Sequence, residues 1–226
     1  MLDPLAPDFA VVNSHFHLQS HIATEVLNRD IHAFVEKPVA LNLRDLGDLE
    51  EAHARSSGDL VSMLGLRYDP AFYTAWKSVK GGSIGDIRLL HAQKSYRIGS
   101  RDEFFTNRTT YGGTIPWVGI HAIDWIQWFA GPGFRSVNAH HSTTANAGHG
   151  ELEASAACLF AMDDGVFATA NIDYLRPATA NSHGDDRIRV AGSEGVIEVR
   201  GGKAFLIGAS VPGTQELGLE SPGNIF

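Results

Sequence analysis

The sequence predicts an α/β unit with a parallel sheet, followed by an α+β domain built on a large antiparallel sheet. Three observations carry that prediction. Short, wholly apolar strand segments alternate with amphipathic helical segments up to residue 69, the pattern of a parallel sheet buried on both faces. Beyond Pro70 the segments alternate apolar and polar residues instead, as half-buried antiparallel strands do. Turn chemistry, Asp163-Asp164-Gly165 and Gly201-Gly202, then separates consecutive strand segments, which is how hairpins are joined.

The first strand is Phe9-Ala10-Val11-Val12, running into the polar Asn13-Ser14-His15-Phe16-His17. A helix follows, with Ile22, Val26 and Leu27 at helical spacing. Ile31-His32-Ala33-Phe34-Val35 is a second strand, stopped by Glu36-Lys37-Pro38. Residues 43–57 read as a helix with Leu43, Leu46, Leu49 and Ala52 on one face, and residues 60–66 as a third strand. A domain boundary falls near Asp69-Pro70, giving regions 1–69 and 70–226. In the second region a helix spans about 71–80. Strand segments follow at 87–94, 136–140, 154–161, 166–174, 188–191 and 196–199. A helix over Trp117–Ala130 is ended by Gly131-Pro132-Gly133.

Composition narrows the function classes. The 226 residues hold 18 Lys plus Arg against 26 Asp plus Glu, a net charge of −8. That balance, with no basic block, argues against nucleic acid or an anionic membrane as the main partner. Hydrophobic content of 43% suits a buried core. The single cysteine, Cys158, lies in the apolar run Ala156–Phe160; it forms no disulfide within the chain and reads as a small core residue, so a cytoplasmic location is the expectation. No apolar run has the length of a membrane span, and the first residues lack a signal peptide's basic start.

Four motifs in order carry a resemblance: Val35-Glu36-Lys37-Pro38 at a strand end; Gly65-Leu66-Arg67-Tyr68-Asp69-Pro70; Ile84-Gly85-Asp86-Ile87-Arg88; and Gly112-Gly113 followed by Gly119-Ile120-His121-Ala122-Ile123-Asp124. Gly192–Val199 adds a late hairpin. Together these resemble the Gfo/Idh/MocA oxidoreductases, named for glucose–fructose oxidoreductase and inositol dehydrogenase. The resemblance implies that residues 1–69 are the C-terminal portion of a Rossmann-like dinucleotide-binding domain, and that residues 70–226 bind substrate and mediate oligomerisation. It implies NAD or NADP as cofactor and a sugar, inositol or related polyol as substrate.

The residue roles follow residue by residue. Lys37, at the carboxyl end of a parallel strand, points into the crevice where open α/β sheets bind ligands, and Pro38 stiffens that turn. The resemblance makes Lys37 a catalytic cation favouring the developing alkoxide and His121 the general base, a task suited to an imidazole. Asp124, three residues on, is placed to orient His121. Ser14, His15, His17, Glu36, Lys37 and Pro38 are implied at the nicotinamide end of the cofactor. Arg97, Arg108, Tyr111 and Trp117 are implied around the substrate. Trp117 departs from the family, which usually has aspartate four residues before the histidine; an indole can stack on a sugar's C–H face.

The resemblance also implies an upstream strand, Gly-x-Gly-x-x-Gly turn and helix that hold the cofactor's pyrophosphate, so the chain is expected to be truncated before Met1, and a further helix is expected after Phe226. A non-catalytic remnant of the family is the alternative. His15-x-His17 after an apolar strand also looks like the start of an amidohydrolase barrel, a rival that needs seven more strand–helix units; no metal is expected. His140, His141 and His149 read as solvated loop residues. The broad sheet face, with no second helical layer, predicts a homo-oligomer.

Overall fold

The computed structural model describes residues 7–131, 133–208 and 211–223; the first residues of the chain and Pro132 of the helix stop lie outside them. Two compact units form. One comprises Met1–Leu64, Arg101–Trp117 and His149–Leu152, the other Gly65–Ser100, Val118–Gly148 and Glu153–Phe226.

In the N-terminal unit β1 (Phe9–Val12), β2 (His32–Val35) and β3 (Leu60–Ser62) make a parallel sheet in the order β1-β2-β3. Helices α1 (Phe16–Leu27) and α2 (Leu43–Arg55) connect them. Val12, Ala33 and Val35 bury against Ala23, Val26 and Leu27 of α1 and Leu49 and Ala52 of α2. The expectation of a sheet covered on both faces is corrected here: Phe9 and Val11 on the opposite face are 63% and 58% exposed. The strands advance in one direction through the sheet, and right-handed crossovers then put both helices on the same side. Leu43, expected on the packed face of α2, is 86% exposed as the first helical residue. That helix starts where Asn42 Oδ1 accepts from the Asp45 amide at 2.9 Å. The third strand ends at Ser62 rather than Leu66, and Gly65–Tyr68 form a 3-10 turn.

The unit is completed from far along the chain. A 3-10 turn (Glu103–Thr106) and α4 (Arg108–Tyr111) belong to it. Gly112, at φ +84°, closes α4 in a left-handed conformation that favours glycine; a Cβ there would meet Leu41 Cδ2 at 2.5 Å, and that side chain would have to shift.

The C-terminal unit is an eight-stranded sheet with helices on one face. Its strands are β4 (Ile87–Tyr96), β5 (Phe134–Ser142), β6 (Ser155–Met162), β7 (Phe167–Asp173), β8 (Gly184–Gly192), β9 (Gly195–Arg200), β10 (Lys203–Gly208) and β11 (Val211–Glu216), ordered β11-β10-β9-β8-β4-β7-β6-β5. All pairs are antiparallel except β4–β7, which is parallel; the sequence pattern did not separate that pair from the rest. β10 and β11 lie beyond the strands read from sequence, joined to β9 through Gly201-Gly202, both at positive φ as a primed hairpin turn requires. His140 and His141 sit within β5 rather than in a loop, opposite Ala157 and Ala156.

Helix α3 (Pro70–Lys80) begins with Asp69 accepting from the Ala71 and Phe72 amides at 2.9 and 3.2 Å and Pro70 in its first turn. It packs on β9 and β10, while α5 (Ile120–Ala130) packs on β4 and β7. The helix expected to begin at Trp117 instead opens with a π turn, Ile115–Gly119. The covered face carries Leu90, Ala92, Ala168, Ala170, Ile188 and Val190, with Cys158 buried among the apolar residues of β6; burial pushes its thiol pKa up.

One charge lies in that covered layer. Lys94 is fully buried and donates to Asp186 Oδ2 at 2.5 Å, across the β4–β8 pair. Burial lowers the lysine's pKa and raises the aspartate's. Removing one member of such a pair strands the other. Asp186→Asn is therefore expected to destabilise the protein by about 3 kcal/mol, with Lys94→Leu/Asp186→Leu recovering most of the loss. Urea unfolding of both variants checks this, and an unchanged midpoint for Asp186→Asn would contradict it.

Candidate active site

In the N-terminal unit the strand β2 delivers Glu36, Lys37 and Pro38 to its carboxyl end. Lys37-Pro38 is a cis peptide. The Pro38 carbonyl accepts from Gln19 Nε2 at 3.1 Å, which ties the turn to α1. Burial raises the Glu36 carboxyl above its ordinary pKa, against the opposing pull of Lys37. Lys37 is 8% exposed. Its Nζ donates to the Trp117 carbonyl at 2.8 Å and sits 3.1 Å from the Trp117 ring centroid.

That indole belongs to an aromatic cluster. Phe16 stacks on it at 4.3 Å, Phe105 lies 6.1 Å away, and Phe104 packs on Phe16, Phe105 and His15. Ser14 and His15 form the exit of β1 and His17 is in the first turn of α1. The His15 and His17 rings stack 6.0 Å apart, nearly parallel, and among the described residues no three His, Cys, Asp or Glu side chains are grouped to hold a metal. The chain continues into the mostly antiparallel sheet, not the repeated units of a barrel. His17 Nδ1 and Gln19 Oε1 are buried without a hydrogen-bond partner.

The remaining N-terminal-unit residues are Arg108 and Tyr111. Tyr111 is fully buried, its hydroxyl within 2.6 Å of Thr114 Oγ1. Arg108 opens α4, its amide donating to Glu151 Oε2 at 2.8 Å.

In the C-terminal unit His121 is half-buried in the first turn of α5. Asp124 is 6% exposed, and its carboxylate lies in the fork of Arg67, whose Nε donates to Oδ2 at 2.8 Å and whose NH2 group donates to Oδ1. The hydrogen bond to Asp124 raises the arginine's pKa. Arg97 is pinned by its guanidinium to the Ala180 carbonyl. A cavity of about 800 Å³ opens in this unit, lined by Leu66, Asp69, Phe72, Trp125 and Asp186 among others.

Sequence reading grouped Lys37 and Trp117 as separate candidates; the structure brings them into contact. It missed Arg67, although that residue lay inside a quoted motif, because its partner is 57 positions away. It also missed Phe16, Phe104 and Phe105. The pair Phe104-Phe105 beside α4 was the available signal.

A parallel-sheet unit with a buried lysine at a strand end and a unit built on a mostly antiparallel sheet make up the chain. Residues 1–64 match the oxidoreductase family's NAD-binding Rossmann fold, and residues 72–198 match the GFO/IDH/MocA C-terminal domain. The chain belongs to the Gfo/Idh/MocA oxidoreductase family.

Among relatives, a Thermotoga maritima protein provisionally named an oxidoreductase is 47% identical, with a TM-score of 0.96 over all of this chain and 69% of its own. The chain is similar to inositol 2-dehydrogenase from Salmonella typhimurium, 22% identical over 59% of this chain and 38% of that protein. It also resembles glycosyl hydrolase family 109 protein 2 of Akkermansia muciniphila, 29% identical over 42% of this chain and 20% of that protein. The matches thus span well under half the length of these curated relatives. Levoglucosan dehydrogenase, solved with NADH and levoglucosan, shares the fold at 18% identity, with a TM-score of 0.82 over 92% of this chain and 60% of its own.

Arg67 supplies the counter-charge for a nearly buried carboxylate, so Arg67→Met is expected to lower stability by about 2 kcal/mol, less than a fully buried pair would lose because the guanidinium is partly solvated. Combining it with Asp124→Asn should restore part of that loss. Thermal unfolding followed by circular dichroism checks both, and equal melting of Arg67→Met and wild type would contradict the role.

Proposed function

We propose that this chain serves an NAD- or NADP-dependent dehydrogenase acting on a secondary alcohol of a sugar, inositol or related polyol. In this reading residues 1–69 are the C-terminal portion of the dinucleotide-binding domain and residues 70–226 the substrate-binding domain. The observation that carries it is the buried Lys37 ammonium at the end of a parallel strand, the location where open α/β sheets place ligands.

The nicotinamide, when bound, supplies the acceptor or donor of hydride. The unpartnered buried atoms His17 Nδ1 and Gln19 Oε1 fit a polar ring substituent near the end of β1. Ser14, His15, His17, Glu36, Lys37 and Pro38 would hold that end of the cofactor. Lys37 donates a hydrogen bond to the substrate oxygen and stabilises negative charge as the alcohol O–H bond breaks. His121 takes that proton, and the carbon–oxygen bond becomes a carbonyl as the C–H bond gives up its electron pair. Asp124, held by Arg67, fixes the helix turn that carries His121. Arg97, Arg108 and Tyr111 are the proposed residues around the substrate, and Trp117 acts through Lys37, because Phe16 and the Lys37 ammonium lie against its ring.

The likeness to inositol 2-dehydrogenase and to levoglucosan dehydrogenase favours the polyol class. The open face of the eight-stranded sheet supports self-association. One cross-strand row on it, Ile207, Val196, Ala191, Leu89, Phe167 and Ala161, is apolar throughout, and Phe167 is 53% exposed. A second copy of the chain is the proposed cover. No described helix is long and apolar enough to cross a membrane.

Lys37→Ala and His121→Ala are each expected to reduce polyol-dependent reduction of NAD or NADP by at least about a hundredfold, read as absorbance of the reduced nicotinamide. Normal turnover in both would refute the assignment. NAD or NADP at a hundred times its dissociation constant should stabilise the fold by about 2.7 kcal/mol, and a melting temperature indifferent to both cofactors would count against it. Light scattering at micromolar concentration should give a multiple of the chain mass; a monomer would remove the self-association.

A further inference from the structure

A buried ammonium needs acceptors for its protons and some replacement for lost hydration. In the N-terminal unit Trp117 supplies both. Its carbonyl accepts from Lys37 Nζ at 2.8 Å, and its ring centroid lies 3.1 Å from the same nitrogen. The cation–ring approaches of Arg200, Lys94, Arg101 and Arg67 are longer, from 4.5 Å upward. A ring face attracts a cation through its quadrupole, and more strongly where water is excluded.

The indole is itself fixed, with Phe16 stacked at 4.3 Å and an interplanar angle of 29°. Phe16 is held in turn by Phe104 and Phe105 at 5.4 and 6.0 Å. The carbonyl comes from the π turn Ile115–Gly119, a wider turn than the α-helix that occurs mostly as single-turn insertions in helices, frequently at functional sites.

We infer that Trp117 is a positioning residue for Lys37, clamping its ammonium between an indole face and the main-chain carbonyl of the same residue. The catalytic consequence rests on the dehydrogenase reading above; the clamp itself does not. The two contacts are separable, because substitution at 117 removes the ring and keeps the carbonyl. Trp117→Phe retains a smaller π face, and Trp117→Leu retains apolar bulk without one.

The test is nuclear magnetic resonance of protein labelled with ¹⁵N-lysine, with the Lys37 ammonium signal identified by its loss in Lys37→Arg. In the wild type that signal should be shifted by the ring and its protons slow to exchange with water. Trp117→Leu should remove the ring shift and speed exchange about tenfold, and Trp117→Phe should restore most of the protection. In assays, Trp117→Leu should lower kcat with KM for myo-inositol little changed, and Trp117→Phe should recover it. An ammonium signal in a folded Trp117→Leu identical to wild type overturns the clamp. Should the leucine variant not fold, Trp117→Met is compared with Trp117→Phe on the same readout. Protection without turnover in the wild type would leave the clamp standing and remove the dehydrogenase reading. Turnover with an ammonium indifferent to residue 117 would do the reverse.

Discussion

A lysine brought to the end of a buried strand has to be satisfied where it lands, and the N-terminal unit is organised around that requirement. The apolar run of β2 ends in Glu36-Lys37-Pro38, so the charged residues arrive at the rim of the core rather than in solvent. The completing contacts come from residues 101–117, which leave β4 and return to this unit with Phe104, Phe105 and Trp117. Gly112 at positive φ against Leu41, and Glu151 at the start of α4, hold that return in place.

The C-terminal unit answers a different constraint, the covering of one face of a wide sheet with only two long helices. α5 packs over β4 and β7 and α3 over β9 and β10. The parallel β4–β7 pair cannot be closed by a short turn as antiparallel neighbours can, and the chain between its two strands carries α5, β5 and β6. Charge enters the covered layer at Lys94 and is matched by Asp186 on the adjacent strand.

Much of this was legible in the residue pattern. Apolar runs gave β1 and β2, helical spacing gave α1, and Asp69-Pro70 marked the start of α3 to within a residue. What periodicity could not supply was anything settled by partners distant in sequence. Phe9 and Val11 read as buried because they are apolar, yet which face the helices cover depends on strand order. Lys37 and His121 were visible as candidates because each lies in a local motif. The fork of Arg67 on Asp124 and the indole over Lys37 join residues 57 and 80 positions apart, and no local signal encodes such pairs.

The contact of Lys37 with Trp117 has a chemical corollary for the proposed reaction. A carboxylate beside an ammonium can both hold it and exchange a proton with it. A π face attracts the cation but has no lone pair in that role, and a peptide carbonyl is too weak a base to take the proton. In the proposed reaction Lys37, held this way, donates a hydrogen bond and stabilises negative charge. Asp124 is committed to Arg67, which leaves the imidazole of His121 to accept the hydroxyl proton in this reading. In this reading Lys37 is the fixed cation and His121 the base.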